Sequence, residues 1–516
     1  MASSRHLEIE RKYDVSIDAA VVPDLSGIGG VERVGEPTEQ ALVASYFDTA
    51  DLDLAKHHIT LRRRGGGTDE GWHLKIETAA DQREEHQLPL GRSAGRVPVA
   101  LIDRVRWIVR DRALAVVARV STARIEWPLL DATGETLALL SDDTVTGERP
   151  PQADTGREGT VQQWREWEVE LVGAKRNLLA GVGEALTSAG ATPSAHSSKL
   201  ARTLGDPASG KPALSTPKHL KNATAAELLK AYVAKHLGRL EVQDRGVRAD
   251  EQGAVHKMRI AARRIRSALT TYSPVLDGDS MDGIREDLRW LGRVLGEARD
   301  AQVLHGSLLE WLAAQRPEDI VGPVAERIDA TFDAAYTSGR QDALRALKSE
   351  RYFRLLDNLE ALLEDPPSAP EGQDLGRKVV PGLLARDAKR LRRAAQAADE
   401  ASETDERDRA LHEVRKKAKR LRYAAESAVP IHGDRARKLA ARALAIQESL
   451  GAHQDAVVAR SRLMQLARAA HKDLENGFTY GRLHALEEQA ARQSETQYEQ
   501  AIARLPQRRL DHWLRH

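Results

Sequence analysis

The chain lacks cysteine altogether, has few aromatic residues, and contains no long apolar run. Without cysteine among its 516 residues, disulfide bonds and thiolate metal sites are excluded, which fits a reducing compartment. Aromatic residues make up only 4%, which disfavours a surface built to stack nucleic-acid bases. Nothing approaches the ~18 continuous apolar residues of a membrane span, and the opening MASSRHLEIE has no apolar stretch of signal-peptide length. These absences predict a cytoplasmic protein with no membrane partner.

The overall charge is almost balanced. Seventy-eight lysines and arginines face 77 aspartates and glutamates, which leaves a net charge of only +1. Any anion-binding surface must therefore be a local concentration of cations and not a property of the whole molecule. The length exceeds that of one ordinary core, so two to four domains are expected.

The composition of the sequence and the spacing of its apolar residues change near residue 205. Residues 1–204 consist mainly of short alternating segments broken by Gly and Pro, which predict β-strands, with helical patches at 98–117 and 174–190. Residues 205–217 have the composition of a linker. From 218 to about 512, apolar residues recur at helical spacing among Ala, Leu, Arg and Glu, which predicts an all-α domain.

The helical half contains an internal duplication. VHKMRIAARRIRSAL at 255–269 aligns with LHEVRKKAKRLRYAA at 411–425, and LGEARDA at 295–301 aligns with LGAHQDA at 450–456. Two matched blocks in one order at nearly one offset predict two similar bundles of about four long helices each. The bundles would span about 218–364 and 374–512 and join near residues 365–373.

Each copy of the first block carries a basic stripe beside an apolar seam. The seam recurs at steps of three and four residues, as in a core-facing helix, and the stripe follows one residue later. Like charges at this spacing repel, so the stripe lowers stability unless an anion or an acidic partner helix neutralises it. The alternative is that the stripe is simply a basic face exposed to solvent. The seams are Val255, Met258, Ala262, Ile265 and Leu269, then Leu411, Val414, Ala418, Leu421 and Ala425. The stripes are His256, Arg259, Arg263 and Arg266, then His412, Arg415, Lys419 and Arg422.

If the two bundles pack as pseudo-symmetric halves, the two stripes can face each other across a groove or pore. Such a cationic lining would hold a linear polyanion, with Arg and Lys bonding to successive phosphates. The two histidines would add donors or respond to pH near neutrality, or would simply be satisfied within the core.

This pattern resembles the CHAD domain, the conserved histidine α-helical domain. The resemblance rests on an H-x-x-R in each basic helix, followed in each copy by an LG-x-x-x-D block, and covers about residues 218–512. It implies two four-helix bundles and binding of inorganic polyphosphate through the basic stripes. The second LG block departs from the first, since Ala452, His453 and Gln454 stand where the first has Glu297, Ala298 and Arg299. His453 is the residue that would replace a cation there.

Charged residues alternate along the short segments of the first half. HLEIERKY at 6–13 places two carboxylates and an ammonium on one face of a predicted strand, and REWEVELV at 165–172 places three carboxylates on one face. An exposed edge strand or ion-pair ladders across a solvated sheet would account for this alternation. A sheet closed into a barrel with its apolar side outward would instead turn these faces into the lining of a lumen.

In such a lumen, crowded carboxylates repel one another unless a hard divalent cation lies between them. Mg²⁺ or Mn²⁺ suits an oxygen-rich site of this kind, whereas zinc is disfavoured without cysteine. Cations from TLRRRG, GWHLKIET and HSSKL would bind phosphate oxygens. The lining as a whole is therefore suited to a metal-bound oligophosphate.

The ordered series of motifs resembles the CYTH superfamily, the triphosphate tunnel metalloenzymes, over about residues 5–204. It opens with E-x-E-x-K in HLEIERKY and continues with LRRR at 61–64, LK at 74–75, LSDD at 140–143, EWEVEL and SSK. The resemblance implies an α+β domain built on an eight-stranded antiparallel tunnel that binds triphosphate and metal. A CYTH domain followed by a CHAD domain is also a familiar pairing, so the two resemblances support each other.

The CYTH resemblance also implies roles for individual residues. Asp142 competes with Asp143 for one metal-binding role, and Glu166 shares the charged face without clearly matching the motif. The implied metal ligands are Glu8, Glu10, Asp143, Glu168 and Glu170. The implied triphosphate contacts are Arg62, Arg64, Lys75, Arg119, Arg124 and Lys199. The implied catalytic residues are Lys12, Glu8 and Glu10.

Together the resemblances imply a Mg²⁺- or Mn²⁺-dependent hydrolase that cleaves inorganic triphosphate to phosphate and pyrophosphate. Its CHAD domain would bind inorganic polyphosphate and associate the enzyme with polyphosphate granules in the cytoplasm. The same superfamily leaves open a class IV adenylate cyclase or a phosphatase of thiamine or nucleoside triphosphates, although no base-recognition pocket is identifiable. A non-catalytic polyphosphate binder is the third hypothesis, and nucleic acid is disfavoured as a partner.

Overall fold

The computed structural model describes residues 4–17, 21–79, 81–91, 95–151, 158–205, 220–277 and 281–505. The chain divides into two compact units, Met1–Ala213 and Leu214–His516. The predicted linker at 205–217 lies outside the described residues after Gly205, as do residues 218–219 and 506–512 of the predicted helical domain. Within the described ranges, no helix combines the length and the apolar character that crossing a bilayer requires.

The first unit is built around a closed antiparallel barrel. Eight strands follow one another in the order β1, β6, β5, β4, β3, β7, β8 and β9, and β9 pairs back onto β1. Two short strands, β2 and β10, pair with β7 and β1. The described strands are β1 (Ser4–Val15), β2 (Arg33–Val34), β3 (Thr38–Asp48), β4 (Ile59–Gly65), β5 (Gly71–Ala79), β6 (Gln82–Leu88), β7 (Ala115–Leu130), β8 (Thr136–Arg149), β9 (Thr160–Leu171) and β10 (Thr192–Pro193). The predicted eight-stranded tunnel is confirmed.

β1 closes the barrel by changing its partner halfway along. Its residues up to Ile9 pair with β6, and those from Glu10 onward pair with β9. The charged residues of both β1 and β9 therefore face the same lumen, because side chains on one face of a strand recur every second residue.

The apolar sides of the strands face outward, where helices cover them. Tyr13 of β1 and Trp167 of β9 pack with Leu178 and Val182 of a helix into one buried cluster. The four helices described in this unit are α1 (Asp53–Lys56), α2 (Val99–Val109), α3 (Asn177–Ser188) and α4 (Lys199–Leu204). Burying the apolar faces in this way leaves the polar faces to line the lumen, which is the opposite of an ordinary solvated sheet.

One predicted helix is shorter than expected. The patch at 98–117 forms a helix only as far as Val109, since Arg110 takes a positive φ of 59° and Ala115 already begins β7. An apolar stretch such as LAVV suits a buried helix or a buried strand equally well, so periodicity did not distinguish them here.

The second unit is entirely helical apart from short 3-10 turns and isolated bridges in its described residues. Each half contains four long helices, and the first half adds α9 before the second begins at Gly376. The helices are α5 (Ala225–Arg248), α6 (Ala254–Thr271), α7 (Asp282–Ala313), α8 (Val324–Ala346), α9 (Glu350–Glu364), α10 (Gly376–Glu400), α11 (Thr404–Ser427), α12 (Val429–Lys472) and α13 (Phe478–Ala503). At the start of α5, Thr224 and Glu227 form a capping box that satisfies free backbone amides.

The duplicated helices α6 and α11 contact each other, and their apolar seams are buried. All predicted seam residues are fully buried except Val255, which is half-buried. Across the contact, Arg264 of α6 bonds to Glu426 of α11, and its counterpart Arg420 of α11 donates to the carbonyl oxygen of Thr270 at 2.9 Å. Arg264 and Arg420 occupy corresponding positions of the two copies, so the contact is pseudo-symmetric.

Candidate functional site

The lumen of the barrel contains a cavity of about 290 Å³ lined mainly by charged side chains. Most of the residues predicted from the CYTH resemblance converge on it, and Asp143 lies fully buried beneath them, bonded to two of the lining cations. The predicted residues that line the cavity are Glu8, Glu10, Lys12, Arg62, Arg64, Lys75, Arg124, Glu168, Glu170 and Lys199.

The acidic wall comes from β1 and β9, whose register places Glu10 opposite Glu170 and Lys12 opposite Glu168. Burial, followed by repulsion from Glu8, raises the pKa of Glu170 to about 7, and Glu10 and Glu168 add to the rise. Like charges directly opposite each other are destabilising in a sheet. This wall is therefore under electrostatic stress that a cation would relieve.

Lys12 lies within the acidic wall and joins its two strands. Its ammonium contacts Glu168 and lies 3.1 Å from Glu10. Burial alone would raise the pKa of Glu10, but Lys12 and Arg83 outweigh it and lower the pKa to about 2. These carboxylates are therefore ionised at neutral pH, whereas Glu170 is divided between its two forms.

The cationic wall comes from β4, β5 and β7. Arg62 and Arg64 project from one face of β4, and Arg124 of β7 lies close enough to Arg64 to repel it. Burial first, then Arg62 and Arg124, lower the pKa of Arg64 to about 9. A lowered pKa is uncommon for a guanidinium group, and here two neighbouring arginines contribute to it. An anion with several oxygens could bond to all three and offset their mutual repulsion.

Asp143 rather than Asp142 faces the lumen. The guanidinium of Arg124 bonds to both oxygens of Asp143, and Lys199 lies 2.8 Å from the same carboxylate. Asp142, one residue earlier on β8, points to the other side and pairs with Arg165. Strand alternation thus resolves the two candidates in favour of Asp143.

Arg119 does not line the tunnel. Its side chain is exposed, on the face of β7 opposite to the face that carries Val120, Thr122 and Arg124 into the lumen. Residues 119 and 124 are an odd number of positions apart, so a regular strand must turn them to opposite sides. The assignment of Arg119 as a triphosphate contact is therefore wrong.

Several lumen residues had no place in the sequence prediction. β6 contributes Arg83, which bonds to Glu10 and to the carbonyl of Ser197, and Glu85, which bonds to His73 at 2.6 Å. Tyr46 of β3 lies opposite Arg62 in the register and also lines the cavity. The alternation in QREEHQL was the available signal for β6, because Arg83 and Glu85 share one face there.

Glu166, which the motif left out, belongs to the site. One oxygen from each of Asp143, Glu166 and Glu168 lies within 4.8 Å of the others, and all three residues are buried. The ammonium of Lys199 now neutralises this trio, at 2.7 Å from Glu166, 2.7 Å from Glu168 and 2.8 Å from Asp143. Asp143, Glu166 and Glu168 thus form a second carboxylate cluster next to the pair Glu10 and Glu170.

The donor set fits a hard divalent cation. The Oε2 atom of Glu8 is buried and has no hydrogen-bond partner among the described residues, so a carboxylate oxygen of the cavity lining keeps its lone pairs free for a cation. Magnesium and manganese prefer such carboxylate oxygens, and repulsion from Glu8 adds to the burial that raises the pKa of Glu170.

The helical unit has a separate, cationic groove of about 640 Å³ between α6, α7 and α11. Of the predicted stripe residues, Arg263, Arg266 and Lys419 line it, so the two stripes do meet. The other groups along the groove are Ser267, Thr270, Asp282, Arg285, Glu286, Arg289, Glu413, Lys416, Lys417, Arg420 and Tyr423. Cations outnumber carboxylates along this lining, as a polyanion site requires.

Arg259 and Arg415 lie beside the groove in matching pockets. A Cβ added to Gly296 would lie 3.3 Å from the guanidinium carbon of Arg259, and one added to Gly451 would lie 3.4 Å from a guanidinium nitrogen of Arg415. Each LG block therefore contributes a glycine surface against which the stripe arginine lies flat. Arg259 also bonds to Asp300 at 2.6 Å.

Each stripe histidine forms a hydrogen bond with its LG block, but His256 is the acceptor of its bond and His412 is the donor. Arg299 donates to Nδ1 of His256 at 3.2 Å, whereas Nδ1 of His412 lies 2.7 Å from Oε1 of Gln454, to which it must donate. Gln454 stands where the first copy has Arg299, so the departure noted in the sequence inverts this hydrogen bond. Burial, followed by nearby cations, lowers the pKa of both histidines.

Two predicted cations lie elsewhere. Arg422 is not part of the groove lining and pairs with Glu426 at 2.8 Å, next to Tyr423. His453 is buried and lies 3.4 Å from Asp408 and 3.2 Å from Glu495, so it does not replace a groove cation. The partner of Arg422 lies one turn further along α11, whereas the two acids near His453 lie on the neighbouring helices α11 and α13.

Comparison with known proteins identifies both units. Residues 6–204 match the CYTH domain, and residues 231–464 match the CHAD domain. The uncharacterized protein Rv2226 of Mycobacterium tuberculosis (strain ATCC 25618 / H37Rv) is 41% identical over 514 residues, covering 97% of each chain. The chain belongs to the family of CYTH–CHAD proteins, and CYTH domains are metal-dependent and act as triphosphatases or cyclases.

Two solved structures resemble the chain over about half its length. PptA from Streptomyces chartreusis is 21% identical, with a TM-score of 0.44, and covers 55% of this chain and 100% of its own. The CHAD domain from the plant Ricinus communis is 25% identical, with a TM-score of 0.43, and covers 55% of this chain and 94% of its own.

Proposed function

We propose that the tunnel unit is a Mg²⁺- or Mn²⁺-dependent inorganic triphosphatase and that the helical unit binds inorganic polyphosphate. The observation that carries the first part is the lumen itself, where an acidic wall faces a cationic wall across about 290 Å³. A triphosphate needs cations for its oxygens and a divalent ion to offset the remaining charge, and the two walls supply one partner for each.

The lining favours an inorganic substrate over one with an organic group. Among its described residues the apolar side chains are Leu42, Ala44, Val120 and Leu139, and the aromatic one is Tyr46, whose hydroxyl is engaged by Arg62. A nucleoside or thiamine pocket would need an apolar or aromatic surface for its ring. This lumen offers charge and hydrogen bonds along most of its length instead.

A bound divalent cation would neutralise charge on the phosphates and on the acidic wall. Glu8, Glu10, Glu168, Glu170 and Asp143 are the residues that would hold it, and Glu166 is close enough to join them. Arg62, Arg64, Lys75 and Arg124 would bind the phosphate oxygens from the opposite wall. Lys12 and Lys199 contact carboxylates of the acidic wall and would contact the substrate as well.

The proposed reaction is in-line attack of water on the terminal phosphorus. The new P–O bond forms as the bond to the bridging oxygen breaks, so phosphate and pyrophosphate leave, and a carboxylate of the acidic wall accepts the proton of the water. The arginines and lysines stabilise the negative charge that develops on the leaving pyrophosphate. Lys12 positions the water through its contacts with Glu10 and Glu168.

The second part of the proposal rests on unpaired positive charge in the groove. Among the described residues, Arg263, Arg266, Arg415 and Lys419 form no ion pair or hydrogen bond with a carboxylate, although Lys419 and the first two line one cavity. Cations kept together without counter-charges cost free energy, which binding of a polyanion would recover. A chain of linked phosphates would offer negative charge to several of these cations at once.

A substrate panel tests the enzymatic proposal. The full chain is supplied with Mg²⁺ or Mn²⁺ and with tripolyphosphate, ATP, thiamine triphosphate or long-chain polyphosphate, beside its Glu8→Gln variant. Tripolyphosphate should give the highest kcat/KM, and Glu8→Gln should abolish the activity. Preferential turnover of ATP to cyclic AMP would overturn the proposal in favour of a cyclase.

A further inference from the structure

Lys419 is a half-buried cation of the groove. It lies on α11, one turn from Arg415, and faces Arg259 and Arg263 of α6. In contrast, Lys416 and Lys417, its neighbours on α11, both have a counter-charge within reach in Glu413 of the same helix.

Every element around Lys419 contributes charge. α6 contributes Arg259, Arg263 and Arg266; α7 contributes Asp282, Arg285, Glu286 and Arg289; α11 contributes Glu413, Arg415, Lys416, Lys417 and Arg420; and α12 contributes Asp455. Two acids of α7 pair with arginines of the same helix, Asp282 with Arg285 and Glu286 with Arg289, and a third, Asp300, pairs with Arg259 of α6 at 2.6 Å. Asp455 acts on Lys419 without forming an ion pair with it.

The ammonium of Lys419 is consequently disfavoured in the free protein. Burial first, then Arg415, Arg263 and Arg259, lower its pKa to about 7. Lysine, unlike arginine, can release its proton when buried next to other cations. Loss of that proton removes one positive charge from the centre of the cluster and relieves the repulsion.

We propose that the groove takes up a proton at Lys419 when it binds polyphosphate, so that binding weakens as the pH rises above neutrality. This inference rests on the proposed binding of polyphosphate by the helical unit. A polyanion in the groove reverses the local field, because its phosphates stabilise the charged amine that the arginines destabilise. The proton and the polyanion are therefore cooperative ligands of one site.

The sign of the effect follows from the two states of the lysine. Below pH 7 the free groove already holds the proton, and binding is insensitive to pH. Above pH 7 the free groove has lost it, so each binding event must draw a proton from solution. The apparent Kd then rises toward a limit of about tenfold per pH unit, until the pH reaches the pKa of Lys419 in the complex.

The stripe histidines and Asp455, whose pKa is raised by burial, are further groups that could take up a proton. His256 and His412 lie at the LG blocks, and their pKa values are lowered by burial and neighbouring cations. A polyanion close to the histidines would raise their pKa values, so that they would take up a proton from solution at a lower pH than Lys419 does. Variants at position 419 distinguish proton uptake by Lys419 from proton uptake by the other groups.

The test is isothermal titration calorimetry of the full chain carrying Glu8→Gln, with EDTA and long-chain sodium polyphosphate, at pH 6.0 and 8.0. Long chains keep the ionisation of the phosphate ends small for each chain bound. Each titration is repeated in buffers with different enthalpies of ionisation, whose comparison gives the number of protons taken up. Lys419→Arg keeps a permanent charge, and Lys417→Arg is the matched control on the same helix.

With Lys419 intact, we expect proton uptake near one per site at pH 8.0 and a Kd about tenfold higher than at pH 6.0. Lys419→Arg should abolish the uptake and most of the pH dependence while still binding, whereas Lys417→Arg should change neither. Binding without uptake, or uptake that survives Lys419→Arg, would overturn the inference but leave polyphosphate binding standing. Absence of binding at either pH would overturn both.

Discussion

The guanidinium of Arg124 holds the carboxylate of Asp143 at two points, with Nε 2.8 Å from Oδ1 and Nη2 2.7 Å from Oδ2. The two residues lie opposite each other in the register of β7 and β8, and a further Nη2 contact reaches Glu168 at 2.6 Å. This fork is the place where the cationic and acidic walls of the lumen meet. Its geometry leads to the first two predictions.

Asp143 and Asp142 form a matched pair of adjacent carboxylates. Asp143→Asn should lower kcat/KM for tripolyphosphate by about 100-fold, because it removes one of the lumen carboxylates and weakens the hold on Arg124 and Lys199. Asp142→Asn should change it by less than about fivefold, since Asp142 pairs with Arg165 on the outer face. Steady-state phosphate release measures both, and an equal loss in the two variants would contradict the assignment.

Arg124 and Arg119 form a second matched pair, on one strand but on opposite faces. Arg124→Gln should raise KM for tripolyphosphate by about 10- to 100-fold, because a charge-assisted contact to phosphate is lost. Arg119→Gln should leave KM unchanged, since Arg119 is exposed outside the barrel. Circular dichroism should show both variants folded. A rise in KM for Arg119→Gln would return that residue to the site.

The glycines of the LG blocks give a prediction for the groove. In Gly296→Ala the new methyl group lies 3.3 Å from the guanidinium carbon of Arg259, so this arginine must shift and polyphosphate affinity should fall several-fold. Gly292→Ala is the control one turn earlier on α7, where the new Cβ meets nothing within 4 Å. The control should keep its affinity and gain about 1 kcal/mol of stability from helix propensity. Equal affinities in the two variants would show that Arg259 does not contact the polyanion.

His236 predicts acid sensitivity of the helical unit. Burial first, then Arg264, lower its pKa to about 3, and its Nδ1 has no hydrogen-bond partner among the described residues. The unfolded chain binds this proton near pH 6.5, but the folded chain resists it until about pH 3. The stability contributed by the neutral imidazole is therefore present above pH 6.5 and is lost progressively as the pH falls toward 3.

Amide hydrogen exchange of α5 measures this loss in the full chain. Between pH 7 and 5, the free energy of opening should fall by about 1 to 2 kcal/mol more in the wild type than in His236→Gln, whose amide does not titrate. Carboxylates that titrate in the same range affect both proteins equally, so the difference isolates His236. Parallel losses in the two proteins would show that His236 is not the acid-sensitive group.

Local patterns in the sequence predicted the barrel and most of its lining. The alternation in HLEIERKY and EWEVEL places Glu8, Glu10, Glu168 and Glu170 in one lumen once the sheet closes, and the structure has them there. The same rule would have excluded Arg119, because an odd separation from Arg124 turns it outward. The face of the strand on which each candidate lies could thus be predicted from the sequence alone, by counting positions along the strand.

Other features depend on contacts between distant segments. Arg83 and Glu85 belong to β6, a strand with little apolar alternation, and their roles follow from neighbours on β1 and β5. In the helical unit, the burial of His453 depends on Asp408 of α11 and Glu495 of α13. The alternation in QREEHQL indicates that Arg83 and Glu85 share one face, but no local pattern specifies which acids will surround a given residue, so their partners required the folded chain.

A ³¹P NMR time course of tripolyphosphate with the full chain tests the proposed activity of the tunnel. With Mg²⁺ or Mn²⁺ present, orthophosphate and pyrophosphate should accumulate in equal amounts, EDTA should stop the reaction, and Glu8→Gln should show none of it. Unchanged tripolyphosphate under all of these conditions, in a protein shown to be folded, would show that the tunnel is not a metal-dependent inorganic triphosphatase.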